Sequence, residues 1–592
     1  MPEAFRKIFF LLSRGERRRG ILVLGMITVM AVLETAGVAS VMPFLSVLAN
    51  PEVVRTNDKL ALIYATFDFN SVDDFLMVLG IGAFLLILVS AVFRGITVYV
   101  MNRYVEMRGH GLACRLLETY LRQPYSFFLN RHSGDLSKSV LSEVAQLVSN
   151  VLRPGMELVA YSIVLLGILS LLLLIDPLLA LAVGVVLGGL YGILYMMVRK
   201  RLARIGQDRI QANQERFTAA GEALSGIKDI KLLGREHAYL DRFLGPSFRF
   251  ARHQATSHTL SQVPNYLVEA IAFGGIIVLV LVMLSNRGGV EGGMGEVLPL
   301  LGLYTFAGYR LKPAAQKLFS SLAKLRFGGP VLEAVYQDLE QRTALAEIRD
   351  VAEQPLVPKD AIALKDIYYT YPGAAREALS GINLSIPVGS SLGLIGTTGA
   401  GKTTLVDIIL GLLRPTRGRI IVDDEPVTDS NLRAWQQTLG YVPQDIFLAD
   451  NTVAENIALG IAADRIDRQQ VERCARMAQV HEFIMQEMPE QYETRVGERG
   501  VRLSGGQRQR LGIARALYHD PAILVFDEAT SALDTVTEQA VMEAIEGLHH
   551  KKTVILIAHR LTTVSNCDRI VRLERGRAME ENPDTILQKN NS

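Results

Sequence analysis

Residues 391–404 read SLGLIGTTGAGKTT. An apolar run gives way at Gly396 to Gly396-Thr397-Thr398-Gly399-Ala400-Gly401-Lys402-Thr403-Thr404, followed by the helix-period stretch TTLVDIILGLL. Strand, glycine-rich loop and helix in that order are the context a phosphate-cradling loop requires. The spacing predicts that Gly396, Thr397 and Thr398 open the loop, while backbone amides from Gly399 through Thr404 wrap a β-phosphate. Lys402 then reaches the β- and γ-oxygens, and the Thr403 hydroxyl suits Mg²⁺.

Two further stretches extend this reading. Residues 522–528, AILVFDE, form a buried parallel strand that ends in two carboxylates. Asp527 is placed for the metal shell, and Glu528 to orient or deprotonate an attacking water. Leu503-Ser504-Gly505-Gly506-Gln507 opens a second helix, RQRLGIARALY, whose free amides and Ser504 hydroxyl suit a γ-phosphate. Lys402 already serves one face of that phosphate, so the second face is expected from another copy of the chain, making a homodimer with two equivalent ATP sites.

The rest of the chain sets where such a motor works. At 592 residues the chain exceeds one compact core, and its apolar content, 49% overall with a mean hydropathy of +0.24, is concentrated before residue 330. Segments 21–49, 75–101, 158–175, 177–198, 263–285 and, more weakly, 297–311 are each long and apolar enough to approach a bilayer crossing. Asp176 between the third and fourth predicts a very short external turn. Arg14, Arg17, Arg18 and Arg19 before the first, and Arg199, Lys200, Arg201 and Arg204 after the fourth, put both ends on the cytoplasmic side. The start, MPEAFRKIFFLLSRGERRRG, reads as a cytoplasmic elbow without a cleavage site.

Long helical extensions are expected over 102–156 and 199–262, broken at Gln123-Pro-Tyr-Ser-Phe-Phe128 and Leu224-Ser-Gly-Ile-Lys-Asp-Ile230, where a membrane domain can press on an ATPase. A short external helix is expected at 57–67 with Leu60, Ile63, Tyr64 and Phe67 on one face. A net charge of +2 gives no nucleic-acid surface, and Cys114, Cys474 and Cys567 are too scattered for a metal set or disulfide scaffold. Arg94, Glu269 and Arg310 stand out within the spans, as structural ion pairs or as a cationic wall for an anionic head group.

In combination, Gly396–Thr404, Gln444, Leu503–Gln507, Asp527–Glu528, Ser531-Ala-Leu-Asp534 and His559 resemble the motif series of ATP-binding cassette proteins. With six preceding spans, the chain resembles an exporter-type half-transporter: a six-helix transmembrane domain (1–340), a linker (341–358) and an α/β P-loop ATPase domain (359–592) in a bacterial inner membrane. The resemblance implies that Tyr371 stacks on adenine, Gln444 joins the metal shell and senses the γ-phosphate, and Glu498 relays motion. It also implies that Asp534 communicates across a dimer and that His559 contacts the γ-phosphate.

The membrane half resembles the PglK-type flippases of lipid-linked oligosaccharides at Glu34-Thr, Val41-Met-Pro-Phe44, Val92-Phe-Arg94, Val263-Pro264, Leu267-Val-Glu269 and Tyr309-Arg-Leu-Lys-Pro313. That resemblance implies a polyprenyl-diphosphate-linked oligosaccharide as cargo, with Arg94 and Arg310 at its diphosphate. A third arginine position of that family holds Asn265. Export of another lipid, an amphiphilic drug or a peptide is the alternative, and an ATP-regulated channel or membrane regulator is a different class.

Overall fold

The structure, a computed structural model, describes residues 2–69, 71–129, 131, 133–175, 177–286, 294–340, 354–528, 538–539, 547, 552–558 and 564–581. The chain divides into two compact units, Met1–Gln123 with Asn130–Ala346, and Pro124–Leu129 with Glu347–Ser592.

Among the described residues, six long helices build the first unit: Arg14–Ala49, Val72–Leu121, Arg153–Ile175, Pro177–Ser225, Glu236–Asn286 and Met294–Glu340. The first starts where Ser13 and Glu16 form a reciprocal cap, each side chain meeting the other's backbone N–H. Glu16 also takes Arg108 at 2.6 Å and Arg115 at 3.4 Å, so one carboxylate both caps the first long helix and pins it to the second. Among the described residues, three helical stretches, Arg14–Ala49, Val72–Leu121 and Gly134–Ile175, are long and apolar enough to cross a membrane.

Both predicted elbows are present. The second long helix stops at Leu121, and Tyr125–Leu129 makes a separate short helix after Pro124. The fourth stops at Ser225; after Gly226 a short helix runs Ile227–Leu233 and ends at Gly234 with φ +62°. The predicted external helix forms as Asp58–Thr66, capped by the Asn57 side chain. Its inward face differs from the expected one. Leu60 is buried and Tyr64 meets Phe69 and Phe75, whereas Ile63 and Phe67 are exposed. The reason is the partner surface: only two positions one turn apart reach the cluster of Val47, Val54 and Phe75.

Close approach of the long helices uses glycine. A Cβ on Gly206 would sit 2.3 Å from the Phe327 carbonyl oxygen, one on Gly167 2.6 Å from Thr35 Oγ1, and one on Gly302 2.1 Å from Leu45. Farther along, Arg209 is fully buried and donates to Glu143 at 2.9 Å, while Asn213 donates to the same carboxylate at 2.7 Å. Glu143 ends a π-helical stretch, Lys138–Glu143, whose wider turns re-aim side chains relative to an α-helix.

The second unit holds ten strands among its described residues: β1 (Ala361–Tyr369), β2 (Leu379–Pro387), β3 (Ser391–Gly396), β4 (Arg417–Val422), β5 (Glu425–Pro426), β6 (Leu439–Val442), β7 (Ile523–Asp527), β8 (Thr553–Ile557), β9 (Arg569–Glu574) and β10 (Arg577–Glu581). An antiparallel sheet runs β2-β1-β4-β5 and a larger one β10-β9-β3-β8-β7-β6. The larger sheet is parallel from β9 through β6, and β7 and β8 are buried at every position, as a strand covered on both faces must be. Apolar cores lie on either side of it, and the single tryptophan, Trp435, is fully buried with its indole N–H on the Ile409 carbonyl at 2.7 Å.

Breaking the Glu143–Arg209 pair leaves a dry charge without its counter-ion. Glu143→Ala is expected to destabilise the first unit by about 3–5 kcal/mol, whereas Glu143→Met with Arg209→Met costs far less. Thermal unfolding of the purified full chain in detergent checks this.

Candidate functional site

Register explains how the nucleotide-facing residues meet. β3, β8 and β7 lie side by side in parallel, so their C-terminal ends share one edge, where Gly396 begins the loop and Asp527 ends its strand. Gly399 and Gly401 have φ of +79° and +105°, and a Cβ on Gly401 would meet the Ala378 carbonyl oxygen at 2.8 Å. The helix Lys402–Ile409 starts directly from this loop.

Lys402 is buried and its ammonium donates to the carbonyls of Gly396 at 2.7 Å and Thr397 at 3.2 Å. Burial lowers its pKa, against the opposing pull of Glu528 and Asp527. Thr403 stays exposed at the head of the helix, while Thr404 is buried with its hydroxyl 2.9 Å from the Tyr371 hydroxyl. Tyr371 also stands edge-on to Tyr369, with ring centroids 5.0 Å apart. The aromatic residue expected at adenine is thus joined to the phosphate loop.

The carboxylate end is equally specific. Tyr441 donates to the buried Asp527 at 3.4 Å. The next residue, Glu528, has φ +51°, a backbone region that costs a non-glycine residue strain of the kind found at active sites. Its N–H is held by the Ile557 carbonyl at 3.1 Å and its own carbonyl by Gln509 at 3.3 Å. Its side chain accepts from Gln444 Nε2 at 2.8 Å. Gln444 and Glu528, 84 positions apart, therefore meet directly. Ser504 and Gln507 form a reciprocal cap on the helix Gly505–Leu517, so the amides of Gly505 and Gly506 are presented from an ordered turn. Glu498 is exposed and begins a short turn that ends at the buried Gly500. Asp534 and His559 lie outside the described residues, as do the linker positions 341–353.

Oxygen donors dominate this edge: the Thr403 hydroxyl, the Asp527 and Glu528 carboxylates and the Gln444 amide. Such a set fits a hard cation that keeps waters and phosphate oxygens, as Mg²⁺ does, beside a loop built for phosphates. When bound, the ion would neutralise phosphate charge.

Three contributors escaped the sequence reading. Asp407, buried on the loop helix, is pushed up to about 6 by burial and by Asp527. Arg515 donates to the carbonyls of Asn456 at 2.8 Å and Phe447 at 2.7 Å, tying the stretch after Gln444 to the Gly505–Leu517 helix. Tyr125 belongs to the same compact unit, and its phenol is pushed up by burial and by Asp407 and Tyr371. Only Tyr125 carried a sequence signal, its place in the first elbow.

In the first unit, Arg94 and Arg310 come to one carboxylate. Arg94 Nη1 is 3.4 Å and Arg310 Nη1 3.7 Å from Glu34 Oε1. Glu269 pairs instead with Lys312 at 2.8 Å, and Lys317 with Glu157 at 3.2 Å. The partner that the sequence reading did not assign is Glu34, whose signal was its being the lone charge of residues 21–49.

A P-loop ATPase joined to a bundle of membrane helices is the class this fold and site define. Residues 379–531 match the family model for ABC transporters and residues 24–288 the model for the ABC transporter transmembrane region. An ATP-dependent lipid A-core flippase of Cupriavidus pinatubonensis is 32% identical over 482 residues, covering 79% of this chain and 78% of the relative. One from Bordetella avium is 29% identical and covers 94% and 91%. An uncharacterized ABC transporter ATP-binding protein of Sinorhizobium fredii is 32% identical, covering 83% of each. A bacterial Atm1-family ABC exporter solved with ATP bound shares the fold at a TM-score of 0.76, 24% identity and coverage of 97% and 96%. The chain belongs to the ABC transporters, as an exporter-type half-transporter with its membrane helices and ATPase on one polypeptide. It is a membrane-bound, ATP-hydrolysing translocase that uses ATP with Mg²⁺, its ATPase on the cytoplasmic face of the inner membrane.

Asp407 gives a pH test. Its carboxyl ordinarily titrates at 3.8 and in the fold at about 6, so the folded state holds the extra proton between those values. Its contribution to stability therefore falls as pH rises through that window, and the full cost stands above it. Asp407→Asn is expected to stabilise the second unit by about 2 kcal/mol at pH 8 and to give no such gain near pH 4. Thermal melts of the full chain in magnesium-free buffer read the difference.

Proposed function

We propose that the chain forms a homodimer that flips a phosphate-bearing glycolipid across the membrane at the expense of ATP. The observation that carries this reading is the meeting of Arg94 and Arg310 at one place among the long helices. Two guanidinia there match a phosphate or diphosphate through paired N–H···O bonds. A drug or peptide exporter has less use for paired cations in so apolar a setting. Relatives named lipid A-core flippases favour a phosphorylated, acylated saccharide. The polyprenyl-diphosphate oligosaccharide rests on the narrower resemblance of the membrane half, and shares with the first cargo a phosphorylated sugar on an apolar anchor.

The mechanism follows from the ATPase edge. Six spans return the chain to the cytoplasm, and domain limits at 1–340, 341–358 and 359–592 assign the motor to the C-terminal part. ATP binds with adenine at Tyr371, phosphates in the loop Gly396–Thr404 and its γ-phosphate at Lys402. Thr403, Gln444 and Asp527 would hold the metal. Ser504, Gly505, Gly506 and Gln507 of the second copy close the site, with Asp534 and His559 completing it. Closure is a population shift, driven by the higher affinity of ATP for the sandwiched form. Glu528 then orients the attacking water, and Gln444, bonded to it, senses the γ-phosphate.

The second elbow supports the dimer. Ile227, Leu232 and Leu233 are exposed in the single chain, the last two at 83% and 68%. An apolar tip on an otherwise polar extension suits a socket on the other copy's ATPase. Leu232→Asp with Leu233→Asp is expected to cut ATP-driven flipping by about tenfold or more while ATP still binds. Flipping and nucleotide-binding assays on the same preparation separate those effects.

Proteoliposomes holding fluorescent lipid A or a fluorescent undecaprenyl-diphosphate oligosaccharide test the function. ATP is expected to move at least one of them between leaflets, and Glu528→Gln to slow that movement by about 10²-fold or more with ATP binding retained. Hydrolysis without movement of either lipid overturns the reading.

A further inference from the structure

Glu34 is the most buried member of its cluster. Its side chain is 5% exposed, against 18% for Arg310 and 43% for Arg94. Both arginines address the same oxygen, Oε1, at 3.4 and 3.7 Å, distances longer than a tight charge-assisted bond. Two cations against one anion leave one net positive charge. Ser90, one helical turn before Arg94 on the same helix, is also buried, and its Oγ has no hydrogen-bond partner among the described residues. A buried hydroxyl without a partner is costly unless something else supplies one. The cluster thus has two guanidinia loosely tied to an internal carboxylate, a surplus of positive charge and an unused donor nearby.

We propose that Glu34 is a built-in counter-anion that occupies Arg94 and Arg310 when cargo is absent and yields both to the cargo's phosphate, making loading and release an exchange of anions. This rests on the phosphate-bearing cargo proposed above. Without Glu34, two arginines in an apolar bundle repel each other and cost desolvation energy. With Glu34 the empty site is held together, yet it retains the net charge that draws a phosphate. Arg94, the most exposed, meets the phosphate first, and Arg310 follows; Ser90 adds a neutral donor to a phosphate oxygen. On release, the carboxylate recaptures the guanidinia, so departure of the phosphate does not strand two bare cations. Glu34 touches the head group's ligands and not its reacting atoms, and is a positioning and specificity residue.

The charge arithmetic gives the test. Binding of lipid A, of its dephosphorylated form and of an undecaprenyl-diphosphate disaccharide is measured on the full-length protein in nanodiscs, alongside flipping in proteoliposomes. Glu34→Gln raises the net charge by one and removes the competitor. It is expected to tighten binding of the phosphorylated probe about tenfold and to slow its flipping, because release becomes harder. Arg94→Gln neutralises the cluster and weakens binding about tenfold. Glu34→Gln with Arg94→Gln restores one net positive charge and brings affinity back to within about threefold of the wild type. Unchanged or weaker binding by a folded Glu34→Gln overturns the proposal. If that single variant does not fold, a double variant that binds no better than Arg94→Gln overturns it. Wild-type protein that binds neither phosphorylated probe, or binds dephosphorylated lipid A equally well, instead overturns the cargo reading.

Discussion

Helices surrounded by hydrocarbon gain little from hiding apolar side chains from one another, because lipid tails are equally apolar. What orders the bundle here is charge placed where charge is expensive. The helix Met294–Glu340 bears Arg310, Lys312 and Lys317, and each meets a carboxylate from a different long helix: Glu34, Glu269 and Glu157. Glu34 and Glu157 are well shielded, and an unpaired charge among apolar helices is costly, so the ladder fixes the register of that helix against three others. Packing brings it against the same three, the first, third and fifth long helices, and against the fourth as well. The exposed apolar surface, including Leu174, Leu178 and Met197, is what a lipid-facing exterior requires.

The ATPase unit depends on a different device. Parallel pairing of β3, β8 and β7 aligns the ends of three strands, and everything polar converges there. The strain at Glu528 is affordable because its amide and carbonyl are both held, by Ile557 and Gln509. Capping of the Gly505–Leu517 helix by its own Ser504 and Gln507 holds the amides at its start in an ordered turn. Less conformational freedom would then be lost when an anion meets them.

Much of this was legible beforehand where local chemistry dictates local structure. The phosphate loop, the helix opening after Ser504 and both elbows follow from glycine, proline and serine at fixed positions, and the strand ending at Asp527 from its apolar run. What stayed hidden was long-range pairing. Nothing in the sequence says that Arg94 and Arg310 would choose Glu34, or that Glu269 would choose Lys312, because the choice depends on helix rotation. The external helix failed in the same way: its existence was local, but its inward face was decided by the cluster around Phe75. Asp407 was read as one letter in an apolar helix, and only burial beside Asp527 gives it character.

The glycine crossings have a mechanical consequence. The space a Cβ would take is filled at Gly206 by the Phe327 backbone, at Gly167 by the Thr35 side chain and at Gly302 by the Leu45 side chain, so neighbouring helices sit notch against knob. The seams set how closely the helices approach, and the ion-paired ladder on Met294–Glu340 sets where along their length they stop. Filling a notch with a methyl group would wedge two helices apart without touching either the fuel or the load.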